Sequence, residues 1–187
     1  FSIKAMSIGN MIPEDKAIIW RGAMASSAIK QLLNDVQWGD LDFLIIDLPP
    51  GTGDIQLSLC QNLSITGAVI VSTPQEVSLI DVRKAINMFK KVNVPILGIV
   101  QNMSYLESNG SKNYIFGKDG ALKETEKQNF KFLGDIPINP EICKSGDDGK
   151  PIAINKKTEL HKIFDEISNR LINSISKNKN TEIKITN

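Results

Sequence analysis

Cysteine is scarce in this chain: Cys60 and Cys143 are the only two in 187 residues. They lie too far apart for a Cys-x-x-Cys clamp and are too few for a disulfide framework, so a reducing cytoplasm is the expected setting. Net charge of either sign is also in short supply. Lys and Arg number 22 against 21 Asp and Glu, a net +1, which gives no bulk electrostatic reason to meet nucleic acid or an anionic membrane. No apolar run approaches a membrane span. There is no internal repeat, and no Gly-x-x-x-x-Gly-Lys-Ser/Thr, the loop whose backbone, Lys and hydroxyl would cradle phosphates and Mg²⁺. What is present, 41% hydrophobic residues, suffices to bury one core.

The most informative segment is Leu41-Asp-Phe-Leu-Ile-Ile-Asp-Leu-Pro-Pro-Gly-Thr-Gly-Asp54. Residues 41–46 are short, bulky and branched, which predicts a parallel strand covered on both faces. Asp47 then stands at its carboxyl end, where open α/β sheets put their ligands. Pro49 and Pro50 fix φ and delay the next helix, while Gly51 and Gly53 let the backbone approach a bulky anion. The pattern reads as a Walker-B-like acid followed by a phosphate-sensing switch. The plainer alternative is that Asp47 caps the helix beginning near Ile55, since Asp, Pro and Gly are common turn formers.

Strand and helix signals alternate along the rest of the chain, which predicts an α/β fold with a doubly wound, mostly parallel sheet. Met24, Ala28, Leu32 and Val36 fall on one face of a helix over residues 24–37. Residues 67–73 and 95–101 read as buried strands. Leu79, Val82, Ile86 and Phe89 between them recur at helical spacing, completing a β-α-β unit. A helix is expected over 121–129, a short strand over 132–136, and an amphipathic closing helix carrying Leu160, Ile163, Phe164, Ile167, Leu171 and Ile175, with Thr158 as N-cap. Residues 1–9 resemble a mid-domain strand. Residues 1–175 form one domain in this reading, and 176–187 a polar, disordered tail. Cys60 is expected as a packed core thiol, and Cys143 in an exposed loop.

Trp20-Arg-Gly-Ala-Met-Ala25, Ile46-Asp-Leu-Pro-Pro-Gly-Thr-Gly-Asp-Ile-Gln56, Thr73-Pro-Gln-Glu-Val-Ser78, Gly98-Ile-Val-Gln-Asn-Met-Ser104 and Ile115-Phe-Gly117 occur in this order. Together they resemble the carboxyl-terminal two thirds of the Mrp/ApbC family, iron–sulfur cluster carrier ATPases related to MinD and ParA with a deviant Walker A P-loop. The resemblance covers roughly residues 1–172. It implies a P-loop NTPase-like fold, ATP and Mg²⁺ as ligands, a homodimer, and iron–sulfur assembly proteins and apo-protein acceptors as partners. The family's P-loop precedes the first residue here. The chain is therefore expected to be an N-terminally incomplete fragment, with unpaired strand edges that make it behave poorly alone unless it self-associates.

The resemblance also implies roles residue by residue. Asp47 would hold Mg²⁺ through a water, and Gly51 would offer its N–H to the γ-phosphate, a bond that exists only in the triphosphate state. Asn102 would read the adenine edge, because a carboxamide donates and accepts at once, and Pro137 would line the base with backbone. Asp54 is either a second catalytic acid or the N-cap of the helix after it. Gln75 fits a similar strand-end loop or a solvated turn. Trp20 and Arg21 match the family's Trp-Arg-Gly motif, although Ala23 replaces its usual Pro. Many members carry Cys-x-x-Cys in the loop matching residues 105–114, where this chain has Tyr-Leu-Glu-Ser-Asn-Gly-Ser-Lys-Asn-Tyr. Iron–sulfur clusters require soft thiolates, so Cys143 is the remaining candidate ligand. Three functions stay open: a cluster-carrier ATPase, a non-enzymatic remnant or partner-binding module, and a MinD/ParA-like spatial organiser.

Overall fold

A computed structural model describes residues 3–11, 22–48 and 51–178. The chain divides into two compact units, Phe1–Leu63 and Ser64–Asn187.

In the first unit a 3-10 turn, Ile8–Met11, precedes α1 (Gly22–Asn34) and α2 (Asp54–Asn62), which pack against each other. The expected strand over residues 1–9 is absent from the described part, 3–9, which is irregular up to the 3-10 turn. α1 stops before Val36, and Met24 on its predicted inner face is exposed while Ala28 is buried. The larger departure is at 41–46. Among the described residues this run pairs with no strand, and Phe43 and Ile45 are 58% and 88% exposed. A parallel strand exists only through its neighbours' ladder bonds, and the described residues of this unit form no strand. The expected strand covered on both faces is therefore not formed there, and the apolar run faces solvent.

The second unit is built on three parallel strands in the order β1 (Ala68–Ser72), β2 (Ile96–Gln101), β5 (Phe132–Asp135). α3 (Glu76–Lys91) joins β1 to β2, as the spacing predicts, and buries Leu79, Val82, Ile86 and Phe89. Ile70, Ile86, Ile99 and Ala121 of α4 (Gly120–Gln128) meet in the main core. Gly134 of β5 lies under Ile167 of α6 (Glu159–Asn178), where an added Cβ would sit 2.7 Å from that side chain. Thr158 accepts a hydrogen bond from the His161 N–H at 3.1 Å, which is the predicted cap. β2 is central and buried. β1 is an edge strand whose Ile70 and Ser72 are covered while Val69 and Val71 are 37% and 60% exposed, so only one of its faces is buried as expected. Edges of this kind invite pairing with other chains. At tens of micromolar the chain is expected to self-associate in light scattering; monodisperse monomer with a cooperative melt would contradict this.

An ion triad ties α3 to α4. Arg83 reaches Glu76 at 2.6 Å and the buried Glu124 at 3.1 Å. The hydrogen bond from Arg83 holds the Glu76 carboxyl below its ordinary value, and bonds to Glu76 and Glu124 push the guanidinium further above its own. Breaking a buried pair leaves an uncompensated charge. Arg83→Met is therefore expected to destabilise the protein in urea denaturation, by less than for a fully buried pair because Arg83 is partly open. Adding Glu124→Gln should recover part of the loss. Since the folded-state value of Glu76 is lowered, its contribution is present above the ordinary carboxylate range and lost as pH falls through the folded value. The stability deficit of Glu76→Gln should accordingly narrow in acid.

Candidate functional site

Within the first unit the acid and glycine turn keeps its predicted order. Asp47 is exposed at the end of the 41–46 run, and Gly51 follows after residues 49–50, which lie outside the described part. Gly51 has φ +100° with open space around the position of a Cβ. Only glycine occupies such backbone freely, so Gly51→Ala should cost about 1–3 kcal/mol of local strain with no steric clash. α2 starts at Asp54 with Gly53 as N-cap, which removes Asp54 from the N-cap role and makes it the first helical residue. A helix N-terminus presents free N–H groups and the positive end of its dipole, so the turn is suited to an anion. Trp20 and Arg21 lie outside the described residues.

Within the second unit Asn102 and Pro137 come together. They follow the carboxyl ends of the adjacent strands β2 and β5, and the two segments are laced by backbone bonds: Ile136 N–H to Gln101 O at 2.8 Å, Ser104 N–H to Ile136 O at 2.9 Å, and Ile138 N–H to Tyr105 O at 2.7 Å. Pro137 is buried and Asn102 half-buried. The Asn102 N–H donates to Ser72 O at 2.7 Å, and its Oδ1 accepts from the Met103 N–H at 2.9 Å, while its NH₂ has no hydrogen-bond partner among the described residues. Gln75 stands at the N-cap of α3, and its Oε1 is buried with no hydrogen-bond partner among the described residues, so it is not the solvated turn residue that one reading expected.

The stretch matching the family's thiolate loop is a hairpin, β3 (Leu106–Ser108) and β4 (Ser111–Asn113), turning through Asn109 and Gly110, both at positive φ. Asn-Gly flanked by alternating residues is the strongest short hairpin signal in a sequence, and Asn109-Gly110 carries it here. Tyr105 and Tyr114 meet edge to face at 6.3 Å across its base, with Lys112 4.0 Å from the Tyr105 ring and Lys118 5.1 Å from the Tyr114 ring. Cys60 is buried, and burial pushes its thiol up, as expected of a core cysteine. Cys143 is exposed, but on α5 (Pro140–Asp147) and not in a loop, because Asn139 accepts from the Glu141 N–H and Pro140 opens the helix. Its Sγ lies 3.7 Å from Asp147 Oδ2. No group of three or more metal-ligating side chains occurs among the described residues, and no helix there is long and apolar enough to cross a membrane.

A parallel sheet with ligand-suited turns at its strand ends is the architecture of an α/β nucleotide-binding protein. Solved structures agree: the chain superposes on the nucleotide-binding protein in complex with ADP from Archaeoglobus fulgidus with a TM-score of 0.61 at 42% identity, over 68% of this chain and 53% of that one. It also superposes on the Pyrococcus furiosus cell division ATPase MinD with a TM-score of 0.58 at 24% identity, over 84% and 63%, a likeness of fold. This is the MinD-like P-loop NTPase fold. The model of the ParA family described as NUBPL iron-transfer P-loop NTPase matches residues 1–172. An iron–sulfur cluster carrier protein of Pyrococcus abyssi is 50% identical over 97% of this chain and 62% of its own length. The iron–sulfur cluster transfer protein NUBPL of Dictyostelium discoideum is 47% identical over 98% and 58%. The chain belongs to the NUBPL/Mrp family of iron–sulfur cluster carrier P-loop NTPases, and it spans about three fifths of the length of these relatives.

Proposed function

We propose that this chain is the nucleotide-sensing part of a cytoplasmic, homodimeric iron–sulfur cluster carrier that binds and hydrolyses ATP, passing its cargo between assembly proteins and apo-protein acceptors. The observation that carries this reading is that Asn102 and Pro137 stand on neighbouring, hydrogen-bonded segments just past the carboxyl ends of β2 and β5, where open α/β sheets bind nucleotides. Asn102 donates its NH₂ to the adenine edge, and backbone around Pro137 lines the base. Asp47, an exposed carboxylate, would help hold Mg²⁺, an ion that prefers carboxylate oxygen at one or two points. When bound, Mg²⁺ neutralises charge on the phosphate oxygens. Gly51 gives its N–H to the γ-phosphate and Asp54 adds a second acid beside the attacking water. Water attacks in line and ADP and phosphate leave, with positioning and electrostatics supplying most of the rate.

The cluster is cargo, and this chain's donors fit it poorly. The hairpin offers Glu107, Ser108 and Asn109 in place of thiolates, and one exposed cysteine per chain falls short of the four ligands an iron–sulfur centre takes. After anaerobic incubation with ferrous iron and sulfide, any cluster absorbance should vanish in Cys143→Ser and persist in Cys60→Ser; the reverse pattern would remove Cys143 from the site. The missing thiolate pair favours a second reading, a partner-binding module without cluster carriage. Binding of labelled ATP with Mg²⁺ separates the two, measured on this chain and on one extended upstream to include a P-loop. Binding by the extended chain supports the ATPase; no binding by either leaves the module.

A further inference from the structure

We propose that Gln101 is a positioning residue for base recognition: its buried carboxamide holds the strained turn 102–104 in the one arrangement that aims Asn102 at the base. The inference rests on the proposed adenine-reading role of Asn102 and deepens it.

Met103 has φ +53°, a left-handed conformation that a long unbranched side chain adopts at a cost. Such strain persists only where the surroundings over-determine it. Here the surroundings converge on Gln101, which is 1% exposed. Its Oε1 accepts from the Ala121 N–H of α4 at 2.9 Å. An amide N–H can bond only to the oxygen, so this contact orients the carboxamide and turns Nε2 the other way. Nε2 donates to Ser104 Oγ and to Asp135 Oδ1, both at 2.9 Å. The Ser104 hydroxyl in turn donates to Asp135 Oδ1. The two ends of the strained turn are thereby fixed, Asn102 through its N–H on Ser72 O and Ser104 through its side chain and its N–H on Ile136 O. Asp119, at the N-cap of α4, makes no side-chain cap, so Gln101 also caps that helix from the neighbouring strand. One side chain thus joins β2, β5 and α4 directly behind Asn102 and Pro137. Asp135 Oδ1 accepts from both Gln101 Nε2 and the Ser104 hydroxyl, which makes this carboxylate a support of the turn.

The test separates the two halves of the carboxamide. Gln101→Glu keeps the oxygen that caps Ala121 and loses the Nε2 donors to Ser104 and Asp135; Gln101→Leu loses both. Binding of AMP and of GMP to this chain at pH 8 is followed by saturation-transfer NMR, and amide hydrogen exchange is measured at Ala121. The unaltered chain should prefer AMP. Gln101→Glu should reduce that preference about five- to tenfold while Ala121 stays protected, and Ser104→Ala should reduce it in the same direction. Unchanged preference in Gln101→Glu would overturn the positioning role and leave the function of Asn102 intact. Loss of preference only in Gln101→Leu, together with loss of Ala121 protection, would reduce Gln101 to a helix cap and overturn the proposal. Absence of any AMP preference in the unaltered chain would sink the reading of Asn102 itself, and this inference with it.

Discussion

Asp47→Asn, in the chain extended upstream to include a phosphate-binding loop, is expected to lower kcat for ATP hydrolysis by at least about 100-fold while leaving ATP binding within a few-fold. The substitution is nearly isosteric and removes one negative charge. If Asp47 helps hold the metal as proposed, a carboxamide oxygen would be a weaker partner for it, and the loss would fall where charge develops on the transferring phosphoryl group and less on the ground state. The side chain is exposed and ends an unpaired run, so the fold has little stake in its charge and thermal unfolding should be unchanged. Single-turnover hydrolysis beside equilibrium binding reads the two effects separately. Equal losses in both would assign Asp47 to binding only, and retained turnover would return it to the plain turn residue that its neighbours Pro49 and Gly51 also suit.

Ile99→Ala should produce the largest stability loss in the molecule, about 2–5 kcal/mol in urea denaturation. Ile99 is fully buried on the central strand and packs with Ile70, Leu79, Val82, Ile86 and Ala121. Truncation removes three buried carbons and leaves a cavity between a sheet and two helices, which the ladder bonds of β2 to both neighbours prevent from closing. Ile99→Val, which removes one carbon, should cost about 0.5–1.5 kcal/mol. A loss for Ile99→Ala no greater than that for Ile99→Val would mean that the sheet yields, and that the core is less tightly set than its burial implies.

Much of this molecule was legible in the residues. The helical spacing of Leu79, Val82, Ile86 and Phe89 located α3 and its buried face, and Thr158 marked the start of α6, because both signals depend on neighbours in sequence. Cys60 read as core for the same reason: it lies beside the apolar residues of its own helix. The motif from Asp47 to Asp54 announced a Pro/Gly turn after the acid, and Gly51 lies there at φ +100°.

Two misreadings share one cause. An apolar run leaves open what covers it, so 41–46 was expected in a sheet and stands exposed, and β1 was expected as a buried strand and is covered on one face. Cys143 was assigned to a loop because Lys144-Ser-Gly-Asp is polar and contains glycine, yet the cap at Asn139 and proline at the first turn carry a helix through it. By itself the sequence determined the family, the alternation of strands and helices, and the candidate acid, switch glycine and base-reading asparagine, since these are local patterns of residue type and spacing. Only the tertiary structure decided that Gln101, Ser104 and Asp135 form one buried network behind Asn102 and that Arg83 joins Glu76 to Glu124. Hydrogen bonds and ion pairs between residues tens of positions apart depend on how the strands and helices pack, and no local pattern carries that information.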